Sequence, residues 1–70
     1  MLSEEELALL REAIASHRKK EDLETSLGRV LRRRDGSFEL YLRIMGVVRE
    51  EARRRKLSPM DAARTLAIDE

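Results

Sequence analysis

The stretch LRRRDGSFELYLRIMGVVREEARRRK, residues 31–56, decides the fold because it is compatible with two different structures. Asp35 and Gly36 lie between two apolar segments, and an Asp-Gly pair in that position is a strong signal for a β-hairpin. The alternative is a helix that begins after Ser37, since serine side chains often cap the first turn of a helix. The pattern of the apolar residues that follow discriminates between the two.

Those apolar residues favour the helix. Strict alternation, which a strand requires, holds for Phe38, Leu40 and Leu42 but fails at the later apolar positions. On a helical wheel, all of them fall on one arc of roughly 220°. The apolar arc comprises Phe38, Leu40, Tyr41, Leu42, Ile44, Met45, Val47 and Val48, and the opposite arc holds Glu39, Arg43, Gly46, Glu50, Arg53 and Arg54. The sequence therefore predicts a helix over residues 38–55 and not a hairpin.

Capping residues mark the starts of two earlier helices. Ser3 with Glu6 three residues later forms a capping box, which predicts a first helix that runs to about residue 19. Asp22 predicts the start of a second helix, which the arginines at residues 32–34 close. We expect hardly any loop between these two helices.

A fourth helix is predicted from Ser58 and Pro59, since proline is favoured at the first helical position after a capping serine. Its small alanines would let this short helix lie close across the third one, and we expect its last residues to fray. The sequence thus predicts one small all-α domain over residues 1–70, a compact bundle of four helices with the third at its centre.

Length and composition bound the class of protein. A chain of 70 residues can bury only a small core, so self-association is a common way to stabilise it. The chain has no cysteine, its apolar runs are too short to cross a membrane, and glutamates at residues 4–6 stand where a signal peptide would be basic. We therefore expect a cytoplasmic protein. The absence of Asn and Gln and the excess of arginine over lysine are typical of a thermophilic protein or of a GC-rich genome.

The arginine runs have two interpretations, of which the first is structural. In each predicted helix the acidic residues come early and the basic residues late, which complements the helix dipole by about 0.3–1 kcal/mol per charge. Three pairs on the third helix have the favourable i,i+4 order: Glu39 with Arg43, Glu50 with Arg54, and Glu51 with Arg55. Helix-end stabilisation thus accounts for every run.

The second interpretation is phosphate binding. The net charge is only +1, so any attraction to nucleic acid must be local. If the first three helices run up and down, the basic ends of the first and third share one pole, which then carries about two excess positive charges. The candidate nucleic-acid-binding residues are Arg18, Lys19, Lys20, Arg53, Arg54, Arg55 and Lys56.

No pattern in the sequence indicates catalysis, a cofactor or a metal. His17 is the single histidine, and only Glu21 lies one turn away as a second possible ligand, which is too few for a stable metal site. The three glycines are isolated and form no phosphate-binding loop. Gly46 is unusual because glycine costs about 1 kcal/mol in mid-helix, and it suggests a close helix crossing. We expect a non-enzymatic protein without a cofactor or small-molecule substrate.

The width of the apolar arc suggests the function, because a single neighbouring helix cannot cover roughly 220°. Leu40 and Val47 would form a second apolar face. The residues expected to anchor either the intramolecular core or a symmetric dimer interface are Phe38, Tyr41, Ile44, Met45 and Val48. Our leading hypothesis is a protein-interaction module that forms a homodimer or docks on a protein partner through the third helix. The alternative is a small DNA- or RNA-binding protein, whose binding would weaken steeply with salt.

Overall fold

In the computed structural model, residues 1–68 are described and form four helices, with no β-strand among them. The helices are α1 (Glu4–Ala15), α2 (Leu23–Arg33), α3 (Phe38–Arg55) and α4 (Pro59–Ala67). The predicted all-α fold is confirmed, and α3 has the predicted bounds. The fraying predicted for the C-terminus concerns residues 69–70, which lie outside the described residues.

Each helix begins at the predicted capping residue. Ser3 and Glu6 form the complete capping box: the Ser3 hydroxyl accepts from the Glu6 backbone N–H at 3.2 Å and the Glu6 carboxylate accepts from the Ser3 backbone N–H at 2.7 Å. The side chains of Asp22, Ser37 and Ser58 accept the backbone N–H three residues later, at 2.9, 3.2 and 3.2 Å. These bonds satisfy amides that have no partner inside the helix.

The predicted end of the first helix is wrong, because α1 ends at Ala15 and not near residue 19. The Ser16 hydroxyl donates to the Glu12 carbonyl at 2.9 Å and the His17 N–H donates to the Ile14 carbonyl at 3.3 Å, which closes the last turn. Residues 16–22 form a connection where we expected almost none. The last turn of α1 carries no basic residue, so the dipole argument fails for this helix and holds for α2 and α3.

The Asp-Gly pair ends α2 and forms no hairpin. Asp35 has a φ of 56°, the left-handed conformation, and the Gly36 N–H donates to the Leu31 carbonyl at 2.7 Å. This is the hydrogen-bond pattern of a Schellman motif at a helix C-terminus. Gly36 leaves room for Leu31, since a Cβ added at Gly36 would lie 2.5 Å from Leu31 Cδ2 and the leucine side chain would have to shift.

The core lies where the helices meet. Both α1 and α3 contact each of the other three helices, and α4 packs against α1 and α3, so its predicted position across α3 is confirmed. The buried apolar residues are Leu2, Leu10, Ala13, Leu23, Leu27, Val30, Leu31, Ile44, Met45, Val48, Ala62, Ala63 and Ala67. The three alanines of α4 let this short helix approach its neighbours closely, as expected from their size.

The relative direction of α1 and α3 differs from the up-and-down prediction. Arg43, early in α3, pairs with Glu6 of α1 at 2.9 Å. Leu2 and Glu4, at the start of α1, line one groove together with Arg54 in the last turn of α3. The start of α1 therefore lies against both the early part and the end of α3, so the two helices cross. The basic end of α3 lies beside the beginning of α1 and not beside its end, where the sequence placed it.

Candidate interaction surface on helix α3

Two exposed apolar side chains and a glycine follow one another on the outside of α3. The side chain of Phe38 is 71% exposed, that of Leu42 is 50% exposed, and Gly46 is also exposed. Because successive members are four residues apart, they lie nearly above one another on one helix face. We call Phe38, Leu42 and Gly46 the outer row of α3.

The exposure of Phe38 corrects the sequence prediction, which had placed both aromatic rings on the buried face. Phe38 is the first residue of α3, so it lies at the edge of the bundle directly after the turn. Tyr41, half-buried one turn later, stacks against it with ring centroids 5.8 Å apart and an angle of 15° between the planes. Tyr41 therefore orients the Phe38 ring, while much of the ring surface faces solvent.

The other residues of the predicted interface lie inside the chain. Ile44, Met45 and Val48 are all at most 1% exposed, so they belong to the intramolecular core that the prediction gave as one of two alternatives. Leu40 and Val47 are half-buried against that core. Only the first turns of the predicted surface are therefore accessible to a partner.

Gly46 makes no close helix crossing within residues 1–68, contrary to the prediction. A Cβ added at Gly46 would find no atom within 4 Å, so the site is open. A mid-helix glycine costs about 1 kcal/mol relative to alanine, and nothing in its own surroundings requires it. On the outer row it leaves a patch of bare backbone next to Leu42.

Ion pairs flank the outer row. Arg43 contacts Glu6 rather than the predicted Glu39. Arg49 pairs with Glu24 of α2 at 3.3 Å and, one turn later, Arg53 pairs with Glu50 at 2.5 Å. The row is thus an apolar strip bordered by charged side chains, which is the usual composition of a protein-interaction patch with a polar rim.

The basic residues at the end of α3 are held within their own helix. Arg54 and Arg55 both contact the nearly buried carboxylate of Glu51, at 2.6 and 2.7 Å. The predicted pair of Glu51 with Arg55 is therefore confirmed, whereas Glu50 binds Arg53 and not the predicted Arg54. These contacts agree with the helix-end interpretation of this arginine run.

The remaining candidate phosphate-binding residues are distributed differently. Lys56 is exposed and adopts the left-handed conformation, with a φ of 56°, at the end of α3. Arg18, Lys19 and Lys20 are exposed in the connection between α1 and α2. The acidic start of α2 therefore lies beside Arg18, Lys19 and Lys20, as expected. The run at residues 53–56 lies instead by the start of α1.

Sequence reasoning missed a polar cluster inside the α1–α2 region, formed by His17, Glu21, Ser26 and Arg29. The Ser26 hydroxyl donates to Glu21 Oε1 at 2.8 Å and lies 2.8 Å from His17 Nδ1. Arg29 binds both carboxylate oxygens of Glu21, at 2.7 and 2.8 Å. It also donates to the Ser16 carbonyl at 2.8 Å, so the cluster fixes the connection against α2.

The ion pair between Glu21 and Arg29 in the polar cluster shifts the pKa of both side chains. The hydrogen bonds from Arg29, helped by those from the Arg18 backbone and from Ser26, lower the pKa of Glu21 to about 2 despite its partial desolvation. The same pair raises the pKa of the Arg29 guanidinium. A signal existed in the sequence: Ser26 stands on the apolar stripe of α2 between Leu23 and Leu27, where a polar residue needs an internal partner.

The polar cluster contains a serine, a histidine and a carboxylate, but not in the arrangement of a nucleophile with its base. Ser26 is 0% exposed, so a substrate has no access to its hydroxyl. A hydroxyl has one proton, and because Ser26 donates it to Glu21, His17 must act as the donor through Nδ1–H. A general base would instead accept the serine proton. Within residues 1–68, His17 does not line the groove between α2 and α3, the groove among α1, α3 and α4, or the groove between α1 and the α2–α3 turn.

Metal and membrane features are also absent from the described part of the chain. Residues 1–68 bring no three His, Asp or Glu side chains together as metal ligands. None of the four helices in this range is long and apolar enough to cross a bilayer.

Comparison with known proteins yields no relative. No protein-family model matches the chain, and no curated protein and no solved structure shows significant similarity to it. The surface and the polar cluster are thus the observations from which a function can be inferred.

Proposed function

We propose that this protein is a non-enzymatic helical assembly module that associates with a second copy of itself through the outer row of α3. The observation that carries the proposal is the exposure of Phe38 and Leu42 on one face of a helix whose other apolar residues are buried or half-buried. Phe38 and Tyr41 are the only Phe, Tyr or Trp residues of the chain, and Phe38 is left exposed. Apolar residues that recur on one face, bordered by charges, are typical of a contact site.

The expected affinity follows from the area that remains exposed. Complete burial of a Phe or Leu side chain contributes about 1.5–3 kcal/mol, and the row is already partly covered. Phe38 and Leu42 from both copies together would contribute on the order of 5 kcal/mol before the entropic cost of association. This gain is comparable with the entropic cost of association, so we expect a very weak dimer, with a Kd of about 1 mM or higher.

The mass of the protein in solution tests this proposal. Light scattering should show a monomer at low concentration and a mass that begins to rise as the concentration reaches about 1 mM. Because an apolar contact responds little to ionic strength, the curves at about 100 and 500 mM salt should agree. A mass that stays monomeric throughout would contradict the proposal.

Nucleic-acid binding is the alternative proposal, and one observation favours it: Arg18, Lys19 and Lys20 are exposed side by side in the α1–α2 connection. Phosphate contacts would make binding of a nonspecific duplex strong at about 100 mM salt and nearly absent at about 500 mM salt. Replacing these three residues with serine should abolish that binding and leave self-association unchanged. The same substitutions at residues 53–55 serve as the matched control, since these arginines are already paired within α3.

A further inference from the structure

We infer that Glu21 is a positioning residue for a phosphate-binding turn, residues 18–21, whose ligand is the backbone of a nucleic acid. We call Arg18, Lys19, Lys20 and Glu21 the basic turn. This inference goes beyond self-association and rests on the alternative proposal of nucleic-acid binding, to which it adds the group that holds the turn in shape. The observation that carries it is a carboxylate that fixes the turn from inside while three cations beside it face solvent.

Two hydrogen bonds close the basic turn. The Glu21 backbone N–H donates to the Arg18 carbonyl at 3.3 Å, which is the bond of a β-turn. The Glu21 carboxylate accepts the Arg18 backbone N–H at 2.9 Å. The backbone that carries Lys19 and Lys20 at the corner of the turn is therefore held at both ends.

The polar cluster anchors Glu21 in its turn. Arg29 binds both oxygens of this carboxylate, and the buried hydroxyl of Ser26 donates to one of them. Both partners belong to α2, so the basic turn is attached to a helix. A segment that is already ordered loses less conformational freedom when a ligand binds it. The cluster thereby preorganises a loop of exposed cations.

The cations of the basic turn are not used inside the described part of the chain. All three side chains are exposed, and every ion pair within residues 1–68 is formed by other arginines. The neighbouring carboxylates are engaged elsewhere, Glu21 with Arg29 and Glu24 with Arg49. Of the carboxylates in residues 21–24, Asp22 then remains to oppose three positive charges. The local excess attracts an anion.

The backbone of a duplex suits the basic turn because its side chains can contact phosphates without reading bases. Arginine and lysine supply many of the phosphate contacts that position a protein on DNA. The turn itself contains no aromatic side chain on which an unpaired base could stack. Since three cations neutralise about three phosphates, the logarithm of the binding constant should fall with the logarithm of the salt concentration with a slope no steeper than about −3.

Two substitutions that change the charge equally test the role of Glu21. Glu21→Ala and its matched control Glu24→Ala each remove one negative charge near the turn, so charge alone would make both variants bind a nonspecific duplex more tightly. If Glu21 positions the turn, Glu21→Ala should instead weaken binding by about threefold or more, because a loosened turn must be ordered on binding. Glu24→Ala should still strengthen it.

Fluorescence anisotropy of a labelled duplex between about 50 and 200 mM salt measures both the affinity and the salt slope. The slope should stay the same in Glu21→Ala, since its three cations are still present. Circular dichroism checks that the variants remain helical. Glu21→Gln, which keeps the size of the side chain, is the second variant if Glu21→Ala does not fold, and its binding should change in the same direction.

Each outcome has a separate meaning. Weaker binding of Glu21→Ala together with stronger binding of Glu24→Ala supports the inference. Stronger binding of both variants overturns the positioning role and leaves nucleic-acid binding in place. A natural chain that does not bind the duplex at about 50 mM salt, or whose binding survives serine at residues 18–20, overturns both. Equally tight binding of polyglutamate would assign the turn to an acidic protein partner and overturn the choice of nucleic acid.

Discussion

The α1–α2 connection and the outer row of α3 depart from the usual distribution of polar and apolar residues in opposite ways. A histidine and a carboxylate of the connection bind the buried Ser26 of α2 against the core, whereas the row places a phenylalanine and a leucine in solvent. The buried polar groups are explained by one another, since Ser26, Glu21 and Arg29 form mutual hydrogen bonds. The exposed apolar groups have Tyr41 as a partner for Phe38 but nothing comparable for Leu42 or Gly46.

We expect the polar cluster to serve the stability of the fold and the outer row to serve association. A polar cluster whose hydrogen bonds are satisfied inside the chain adds to the stability of the fold and specifies the path of a loop. An apolar strip that the chain leaves uncovered contributes little to folding, and we propose that it serves a contact outside the chain. Substitutions in the two regions should therefore have opposite consequences for folding and for association.

Within the two compared regions, the largest effect on folding is expected for Ser26→Ala. Removal of this buried hydroxyl leaves His17 Nδ1–H without its partner and takes away one of the donors to Glu21, at a cost of about 1–3 kcal/mol in the free energy of unfolding. Urea denaturation measures the loss. Ser16→Ala is the matched control, since the Ser16 hydroxyl contacts only a helix-end carbonyl and the change should stay within about 0.5 kcal/mol. Equal effects of the two substitutions would mean that the polar cluster does not stabilise the fold.

Acid should weaken the same cluster. Because Arg29 lowers the pKa of Glu21 to about 2 in the folded chain, its contribution to stability is complete above the ordinary value of 4.5 and is lost as the pH falls from 4.5 towards 2. Glu6, Glu12 and Asp22 also have lowered pKa values, so the natural chain loses stability from several groups in this range. A Glu21→Gln variant should show a shallower fall in melting temperature between pH 5 and 2, taken here as about the range over which such carboxylates protonate. Parallel curves would remove Glu21 from the acid response.

Replacement of glycine by alanine should change the free energy of unfolding in opposite directions at two sites, one in α3 and one in its preceding turn. Gly46→Ala should raise the free energy of unfolding by about 0.8–1.0 kcal/mol, since the added Cβ meets open space and alanine favours the helix. Gly36→Ala should lower it, because the Cβ would lie 2.5 Å from Leu31 Cδ2 and the turn would have to shift. Both are measured below the dimerisation range. A loss of stability at Gly46 would show that the outer row is already covered within the chain.

The sequence predicted most of the fold because its signals are local. The capping residues and the period of the apolar residues determine where each helix begins, and the structure confirms all four starts. The early end of α1 was not predictable from periodicity, since it depends on His17 and Arg29 contacting groups up to 13 positions away along the chain. The direction of α1 relative to α3 likewise depends on tertiary packing.

The candidate site was predicted less well than the fold, because it depends on tertiary packing. A helical wheel shows that Phe38 and Ile44 share an apolar arc, but which of them the other helices cover depends on where α1, α2 and α4 cross α3. Phe38, in the first turn, extends past those crossings, whereas Ile44 lies beneath them. The sequence indicated that glycine is unusual at position 46, but the close helix crossing that it suggested does not exist within the described residues.

The smallest effect on folding is expected for the double variant Phe38→Ser with Leu42→Ser, in which the exposed apolar side chains of the row are replaced. Exposed positions away from special interactions usually change the free energy of unfolding by within about 0.5 kcal/mol, although loss of the Tyr41 contact places Phe38 near the upper end of that range. Self-association, in contrast, should disappear, since these side chains supply nearly all the apolar area of the proposed interface. Sedimentation equilibrium and urea denaturation of the same samples measure the two quantities.

Ile44→Ala is the reciprocal control. It should lower the free energy of unfolding by about 2–5 kcal/mol because Ile44 is buried. At temperatures where this variant stays folded, its dimer should persist. A double variant that unfolds easily yet still dimerises would reverse the assignment of the two regions, making the outer row part of the fold and placing the contact surface elsewhere.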